Sequence, residues 1–61
     1  RPRFSPDGTE LLYASDRTGV YELYRGPVAG GEVRRLTNSV GGVIEAEFSP
    51  DGRAVAAIFL T

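Results

Sequence analysis

The sequence predicts an all-β, antiparallel fold, and the prediction rests on a repeated turn motif and on short apolar runs separated by turn residues. The pentapeptide Phe-Ser-Pro-Asp-Gly at residues 4–8 returns at residues 48–52, a separation of 44 residues. Five identical residues are not expected to recur by chance in a chain of 61. A period of about 40 to 45 residues is typical of propeller blades, which are built from four strands. The expected fold is therefore an antiparallel four-stranded propeller blade followed by the first hairpin of the next blade.

Each residue type in the repeated turn has a separate physical role. Phe ends a strand with a large apolar side chain, and Pro fixes φ at the second position of the turn. Asp bonds backbone amides that follow it, and Gly tolerates a positive φ. The predicted structural turn residues are Phe4, Ser5, Pro6, Asp7 and Gly8, and in the second copy Phe48, Ser49, Pro50, Asp51 and Gly52.

The apolar runs between the turns predict six strands. Ile44, Ala46 and Phe48 alternate with Glu45 and Glu47, which is the period-two pattern of a strand with one apolar and one polar face. In chain order the predicted strands cover residues 1–4, where only the end of a strand is present, 10–15, 20 to about 28, 33–37, 43–48 and 54–60.

Two further hairpin turns are predicted from Asp and Gly. Asp16 and Gly19 bound a four-residue connection between two strand-like runs, which is a good signal for a hairpin with Gly in the left-handed region. Gly30 and Gly31 mark the next reversal of the chain. The strand between these turns carries large side chains on both faces, a pattern that suits a sheet covered on both sides.

The organisation predicted from these elements is a single repeat fragment over residues 1–61, about one and a half blades. Its repeat units are residues 1–44 and, as a partial copy, 45–61. A chain of 61 residues without Cys buries little apolar surface as a flat sheet, so other copies of the chain or the rest of a propeller are expected to cover it. A protein or peptide partner is a further expectation. A formal net charge of −1 and the lack of a membrane-length apolar run predict neither nucleic-acid binding nor membrane insertion.

The residue types present exclude several kinds of catalytic site within the chain. His and Cys are absent, which excludes His-based triads, thiol proteases and His/Cys zinc sites. Glu45 and Glu47 lie about 7 Å apart on one face of their strand at the usual rise, and we interpret them as a solvated or channel-lining face rather than a catalytic or cation-binding pair. Arg34 and Arg35 are interpreted as solubilising charges on a rim strand. No catalytic, cofactor-binding or metal-binding residue is assigned.

The combined pattern resembles the TolB-type propeller repeat. This repeat occurs in TolB and in the propellers of tricorn-like and prolyl oligopeptidase-type peptidases. The resemblance covers essentially the whole chain and implies a full ring of several blades. It rests on the two Phe-Ser-Pro-Asp-Gly turns together with Ser15-Asp16-Arg17 and Gly19, Gly30-Gly31-Glu32, and Arg35-Leu36-Thr37.

Three functional hypotheses follow from the residues and the resemblance. The leading hypothesis is a structural and protein-interaction module with no catalytic activity of its own. The second is a section of the propeller that restricts substrate access in a serine peptidase. The third is a small self-contained β domain that binds a ligand through Glu45, Glu47, Tyr13, Tyr21 and Tyr24. The resemblance implies a periplasmic location for a TolB-like parent and a cytoplasmic one for a peptidase-like parent.

Overall fold

The computed structural model describes residues 2–61 as six antiparallel strands in two sheets. Strands β1 to β4 form a four-stranded sheet in chain order, and β5 and β6 form a separate two-stranded sheet. This arrangement confirms the predicted fold class. Arg1, which the sequence places in the first strand, lies outside the described residues. The strands are β1 (Arg3–Phe4), β2 (Glu10–Ser15), β3 (Glu22–Pro27), β4 (Arg34–Arg35), β5 (Val43–Phe48) and β6 (Val55–Phe59).

The register of β2 against β3 decides which side chains share a face of the four-stranded sheet. Leu12 lies opposite Arg25, and Ala14 lies opposite Leu23. Because successive side chains of a strand alternate between faces, these four residues lie on one side of the sheet, which we call the inner face. Within residues 2–61, no helix is long and apolar enough to cross a membrane.

The core lies between the inner face and the two-stranded sheet. Leu12, which is 1% exposed, forms a buried cluster with Leu23 and Phe48. Ala46, Val55 and Ala57 pack against this cluster from β5 and β6. The two sheets therefore bury their facing sides against each other.

Charged side chains close the edge of this core. The Arg25 guanidinium lies 5.0 Å from the centre of the Phe48 ring, within cation–π range. Arg25 also forms an ion pair with Glu10, so its charge is shared between a carboxylate and an aromatic face. The long Arg side chain thus covers apolar surface while its charge stays partnered.

The strand of Ile44, Ala46 and Phe48 differs from its predicted alternation. The pairing of β5 with β6 shifts between Val43 and Glu45, which places a β-bulge at Ile44. Ile44 is therefore 62% exposed, whereas Phe48 lies in the core. An extra residue in one strand interrupts the alternation of side chains between the two faces of the sheet. The period-two pattern of the sequence does not predict where such a residue lies.

The third and fourth strands are shorter than predicted. β3 begins at Glu22 rather than residue 20, and the Tyr21 carbonyl just before it accepts a bond from the Val43 amide of β5, at 2.7 Å. β4 ends early because the Leu23 amide bonds the Thr37 hydroxyl, at 2.9 Å, in place of a backbone carbonyl. The Thr37 side chain thus ends the backbone pairing between β3 and β4.

Replacing Leu12 by Ala tests the core. The substitution removes most of a buried side chain and leaves a cavity that the two sheets can fill only in part. We therefore expect a loss of about 2–5 kcal/mol in the free energy of unfolding. Val40→Ala is the matched control because Val40 is 94% exposed, and it should change the free energy by less than about 0.5 kcal/mol. Urea denaturation followed by circular dichroism measures both. Equal midpoints for the two variants would contradict the assigned core.

Candidate functional site

The first repeated turn is held by its own side chains. The Gly8 amide donates to the Ser5 carbonyl at 2.9 Å, and Gly8 has a φ of 76°. Asp7 Oδ1 accepts bonds from the Ser5 hydroxyl at 2.7 Å, the Thr9 amide at 3.0 Å and the Thr9 hydroxyl at 2.8 Å. Ser5 Oγ in turn accepts from the Glu10 amide at 3.0 Å. The turn therefore ends in a defined register at the start of β2.

The second turn repeats this geometry almost bond for bond. The Gly52 amide donates to the Ser49 carbonyl at 2.9 Å, with a φ of 74° at Gly52. The Ser49 hydroxyl donates to Asp51 Oδ1 at 2.7 Å and accepts from the Ala54 amide at 3.0 Å. Asp51 also accepts from the Arg53 amide at 3.0 Å. Each Ser hydroxyl directs its one proton at the Asp carboxylate, so both serines have structural bonds.

The two turn carboxylates are held in their charged form. Hydrogen bonds from the Thr9 amide, the Ser5 hydroxyl and the Thr9 hydroxyl lower the pKa of Asp7 from 3.8 to about 2. The Ser49 hydroxyl and the Arg53 amide lower the pKa of Asp51. Because the folded state favours these carboxylates, folding is stabilised above their ordinary pKa and loses that stabilisation as the pH falls.

An Asp7→Asn variant tests this pH dependence. The contribution of Asp7 is fully present above pH 3.8 and is lost as the pH falls through about 2, so the wild-type chain should lose stability over that range. The variant lacks this titration, so its urea midpoint should change less with pH. Asp16→Asn is the matched control, since the bond at that turn uses the Asp16 carbonyl. Parallel curves for the wild-type chain and Asp7→Asn would contradict the assignment.

The two hairpin turns are held by backbone bonds. The Gly19 amide donates to the Asp16 carbonyl at 2.9 Å, and Gly19 has a φ of 110°. The Gly30 amide donates to the Pro27 carbonyl at 3.2 Å. Gly30 and Gly31 both adopt positive φ, in the region that favours Gly. These turns position the strands on either side of them.

Glu22 forms a buried site that the sequence patterns do not indicate. Glu22 as a residue is 2% exposed, and its Oε1 accepts bonds from the Thr37 hydroxyl at 2.7 Å and the Ser39 hydroxyl at 3.0 Å. Oε2 accepts from the Ser39 amide at 2.8 Å. The Thr37 hydroxyl is the largest influence that lowers the pKa of Glu22. The bonds tie the start of β3 to the segment that leads to β5.

No local signal could have revealed the Glu22 site. Its partners lie 15 and 17 residues away along the chain. Thr37 and Ser39 are ordinary loop residues by composition, and a Glu at the start of a strand is ordinarily solvated. Only the fold shows that three donors converge on this one carboxylate.

A Glu22→Ala variant tests the tie between β3 and the connecting segment. Without the carboxylate, the Ser39 amide loses its acceptor and the Thr37 hydroxyl loses a partner, so we expect faster hydrogen exchange at the amides of Ser39 and Leu23. Glu32→Ala, at an exposed loop position, is the control and should leave both rates unchanged. Unchanged exchange in Glu22→Ala would contradict the proposed tie.

Two aromatic rings and one Arg cover part of the other side of the four-stranded sheet. Tyr13 and Tyr24 stack at 5.7 Å between ring centres with an angle of 20° between planes. The Arg17 guanidinium lies 4.1 Å from the Tyr24 ring centre and 5.9 Å from that of Tyr13. Tyr24 is 4% exposed, and its buried hydroxyl has no hydrogen-bond partner within residues 2–61.

That side of the sheet also carries exposed apolar residues. Phe4 pairs with Leu11, so both lie on the same side as Tyr13 and Tyr24, and we call this side the outer face. Phe4 is 63% exposed, unlike its repeat equivalent Phe48. The outer face is thus a partly open apolar surface.

The two-stranded sheet has an open side as well. Glu45 pairs with Ile58, and Glu47 pairs with Ala56, on the side opposite Ala46 and Ala57. We call this side the far face. Ile58 is 59% exposed there. The expectation that both faces of each sheet are covered is met within this chain only where the two sheets face each other.

The residues of the predicted ligand site do not all meet in the structure. A cleft of about 280 Å³ opens between the sheets and is lined by Tyr13 and Glu45, but not by Glu47, Tyr21 or Tyr24. Glu45 lies 3.6 Å from the Arg3 guanidinium, so it is paired with a cation rather than with Glu47. Among residues 2–61, no group of three or more potential metal-ligating acidic side chains occurs.

Known proteins resemble this chain over most of its length. It is 46% identical over 55 residues to the uncharacterized peptidase YuxL of Bacillus subtilis, a match that covers 88% of the chain. It is 41% identical over 58 residues to tricorn protease homolog 1 of Streptomyces coelicolor, and 38% identical over 55 residues to the Tol-Pal system protein TolB of Francisella tularensis. Each of these two matches covers 90% of the chain. No protein-family model matches it.

These matches and the two antiparallel sheets define the chain as a section of a β-propeller. It carries a TolB-type repeat, which confirms the resemblance drawn from the sequence. The matched relatives include both peptidases and TolB, and all are much longer. The chain spans 8% of YuxL, 5% of the tricorn homolog and 13% of TolB.

Proposed function

We propose that this chain is a structural and protein-interaction module, a propeller section with no catalytic activity of its own. The observation that carries the proposal is the packing of the second repeat on the first. Phe48, Val55 and Ala57 of the second repeat pack into the core formed with Leu12 and Leu23 of the first. A sheet that covers its predecessor in this way is the unit from which a ring of blades is built.

The repeat organisation is part of this proposal. Residues 1–44 would form one repeat unit and residues 45–61 a partial second one, about one and a half blades in all. The closely similar bonding of the two turns supports a repeat period of 44 residues, because Ser5 and Ser49 occupy equivalent positions. The outer and far faces would then contact further blades.

The absence of catalytic activity is supported by how the polar groups are used. The Ser5 and Ser49 hydroxyls are bonded to Asp carboxylates, and the chain has no His or Cys to activate a nucleophile. A second candidate function is favoured by the comparisons, since two matched relatives are named as a peptidase and a protease homolog. In that case the chain would belong to a propeller that limits the access of substrates to a separate peptidase domain.

Grafting the repeat into a known propeller tests the structural role. Residues 4–47 span one period of 44, so they can replace one repeat of TolB from Francisella tularensis with both junctions immediately before equivalent Phe residues at the ends of strands. We expect the chimaera to unfold in one cooperative transition like its parent. The control graft carries Leu12→Asp, which buries an unpaired charge and should abolish that transition. Two equally unfolded chimaeras would contradict the proposal.

A separate measurement distinguishes the second candidate function. A hydrolase domain with a Gly-x-Ser-x-Gly nucleophile motif in the same open reading frame would support the gating role, and the absence of any such domain there would exclude it. In both cases we expect the 61-residue chain itself to show no labelling by a fluorophosphonate probe of activated serines. Labelling at any Ser of the chain would contradict the proposed lack of catalytic activity.

A further inference from the structure

We propose that a second copy of this chain docks head to tail on the first, with the outer face of one copy covering the far face of the other. The contact would place Phe4, Leu11 and Tyr13 of one copy against Ala56 and Ile58 of its neighbour. The inference rests on the proposed role as a propeller section, and it adds the partner and the surfaces through which the partner binds.

The first argument is that the structure already contains one example of this contact. A shift of 44 residues relates Phe4, Leu11 and Tyr13 to Phe48, Val55 and Ala57. The three residues of the second repeat pack against Leu12 and Leu23 on the inner face of the first. The outer face of the first repeat is therefore equivalent to a surface that is covered in this structure.

The second argument is that the opposite surface of the same contact is also open. The same shift relates Leu12 and Ala14 of the inner face to Ala56 and Ile58 of the far face. On the inner face Leu12 is buried by the second repeat while Ala14 stays exposed, whereas on the far face both Ala56 and Ile58 are exposed. The chain thus carries both halves of one interface, one half on each repeat.

The third argument concerns the symmetry of the assembly. Because the two halves are different surfaces, a contact between copies joins unlike faces and is heterologous. Pairing two far faces would instead bring Glu47 of both copies onto one shared surface, and like charges facing each other oppose association. The outer face carries the Arg17 guanidinium over its Tyr rings, so its charge is opposite to that of Glu47. Head-to-tail pairing is therefore the arrangement that the charges favour.

Two complementary variants test the docking. Phe4→Glu places a charge on the outer face, and Ile58→Glu places one on the far face, both at exposed positions where folding of the chain tolerates a polar residue. In sedimentation over a range of concentrations, the wild-type chain should associate. Each variant alone should remain monomeric, with an apparent dissociation constant raised by at least about tenfold, since docking would bury an unpaired carboxylate.

Mixing the two variants provides the decisive measurement. Phe4→Glu keeps an intact far face and Ile58→Glu keeps an intact outer face, so an equimolar mixture should form a one-to-one dimer that grows no further. Val40→Glu, on a fully exposed loop residue, is the control and should associate like the wild-type chain. Far-UV circular dichroism checks that each variant keeps its β structure. If a charged variant unfolds, Phe4→Ser and Ile58→Ser should give the same pattern with smaller shifts.

Other outcomes would contradict the docking of a second copy but would leave the proposed role as a propeller section unaffected. A wild-type chain that stays monomeric at all concentrations, or a mixture that forms no dimer, would exclude a second copy as the occupant of these faces. Association of either variant alone would point to a two-fold contact through another surface and would also overturn the proposal. The grafted TolB chimaera reports separately on the blade, so a folded graft together with a monomeric chain would exclude only the docking.

Discussion

Apolar side chains on both faces of the four-stranded sheet are the constraint on which the rest of the structure depends. Leu12 and Leu23 point to one side, and Tyr13 and Tyr24 point to the other. One side is covered by the second repeat, which buries Leu12 almost completely. The other side is covered only in part, by the Arg17 guanidinium over the two Tyr rings. A sheet of this composition favours stacking in series, because every covering sheet presents a further face that also favours burial.

The Glu22 site explains how the covering sheet reaches its position. The chain must pass from β4 at one edge of the first sheet to β5, which lies over the inner face. Bonds from Thr37 and Ser39 to the Glu22 carboxylate fix the start of this passage, and the Val43 amide bonds the Tyr21 carbonyl at its end. A charged group can be buried there because three donors satisfy it. Polar bonds thus direct the connection, while apolar packing stabilises the two sheets that it joins.

The sequence predicts the features of this fold whose causes are local. The Ser-Pro-Asp-Gly turns are made by bonds within six residues, and the runs after them are apolar, so the repeat, the fold class and most strand positions follow from the pattern. The bulge at Ile44 and the early end of β4 at the Thr37 hydroxyl depend on a neighbouring strand, and the residue types at these positions do not predict them. The Glu22 site depends on residues more than a dozen positions away, for which a single sequence carries no signal.

The differences between the two repeats are informative because the turns are identical and the strands are not. Leu12 and Ala14 of the inner face correspond to Ala56 and Ile58 of the far face in the second repeat. The large and the small side chain have therefore exchanged positions between the repeats. On the opposite face, Ala57 corresponds to the much larger Tyr13. Close packing requires a large side chain on one surface to meet a small one on the other. The smaller side chain of Ala56 leaves room at that one position of the far face, and in the proposed docking the larger Tyr13 of a second copy would fill it.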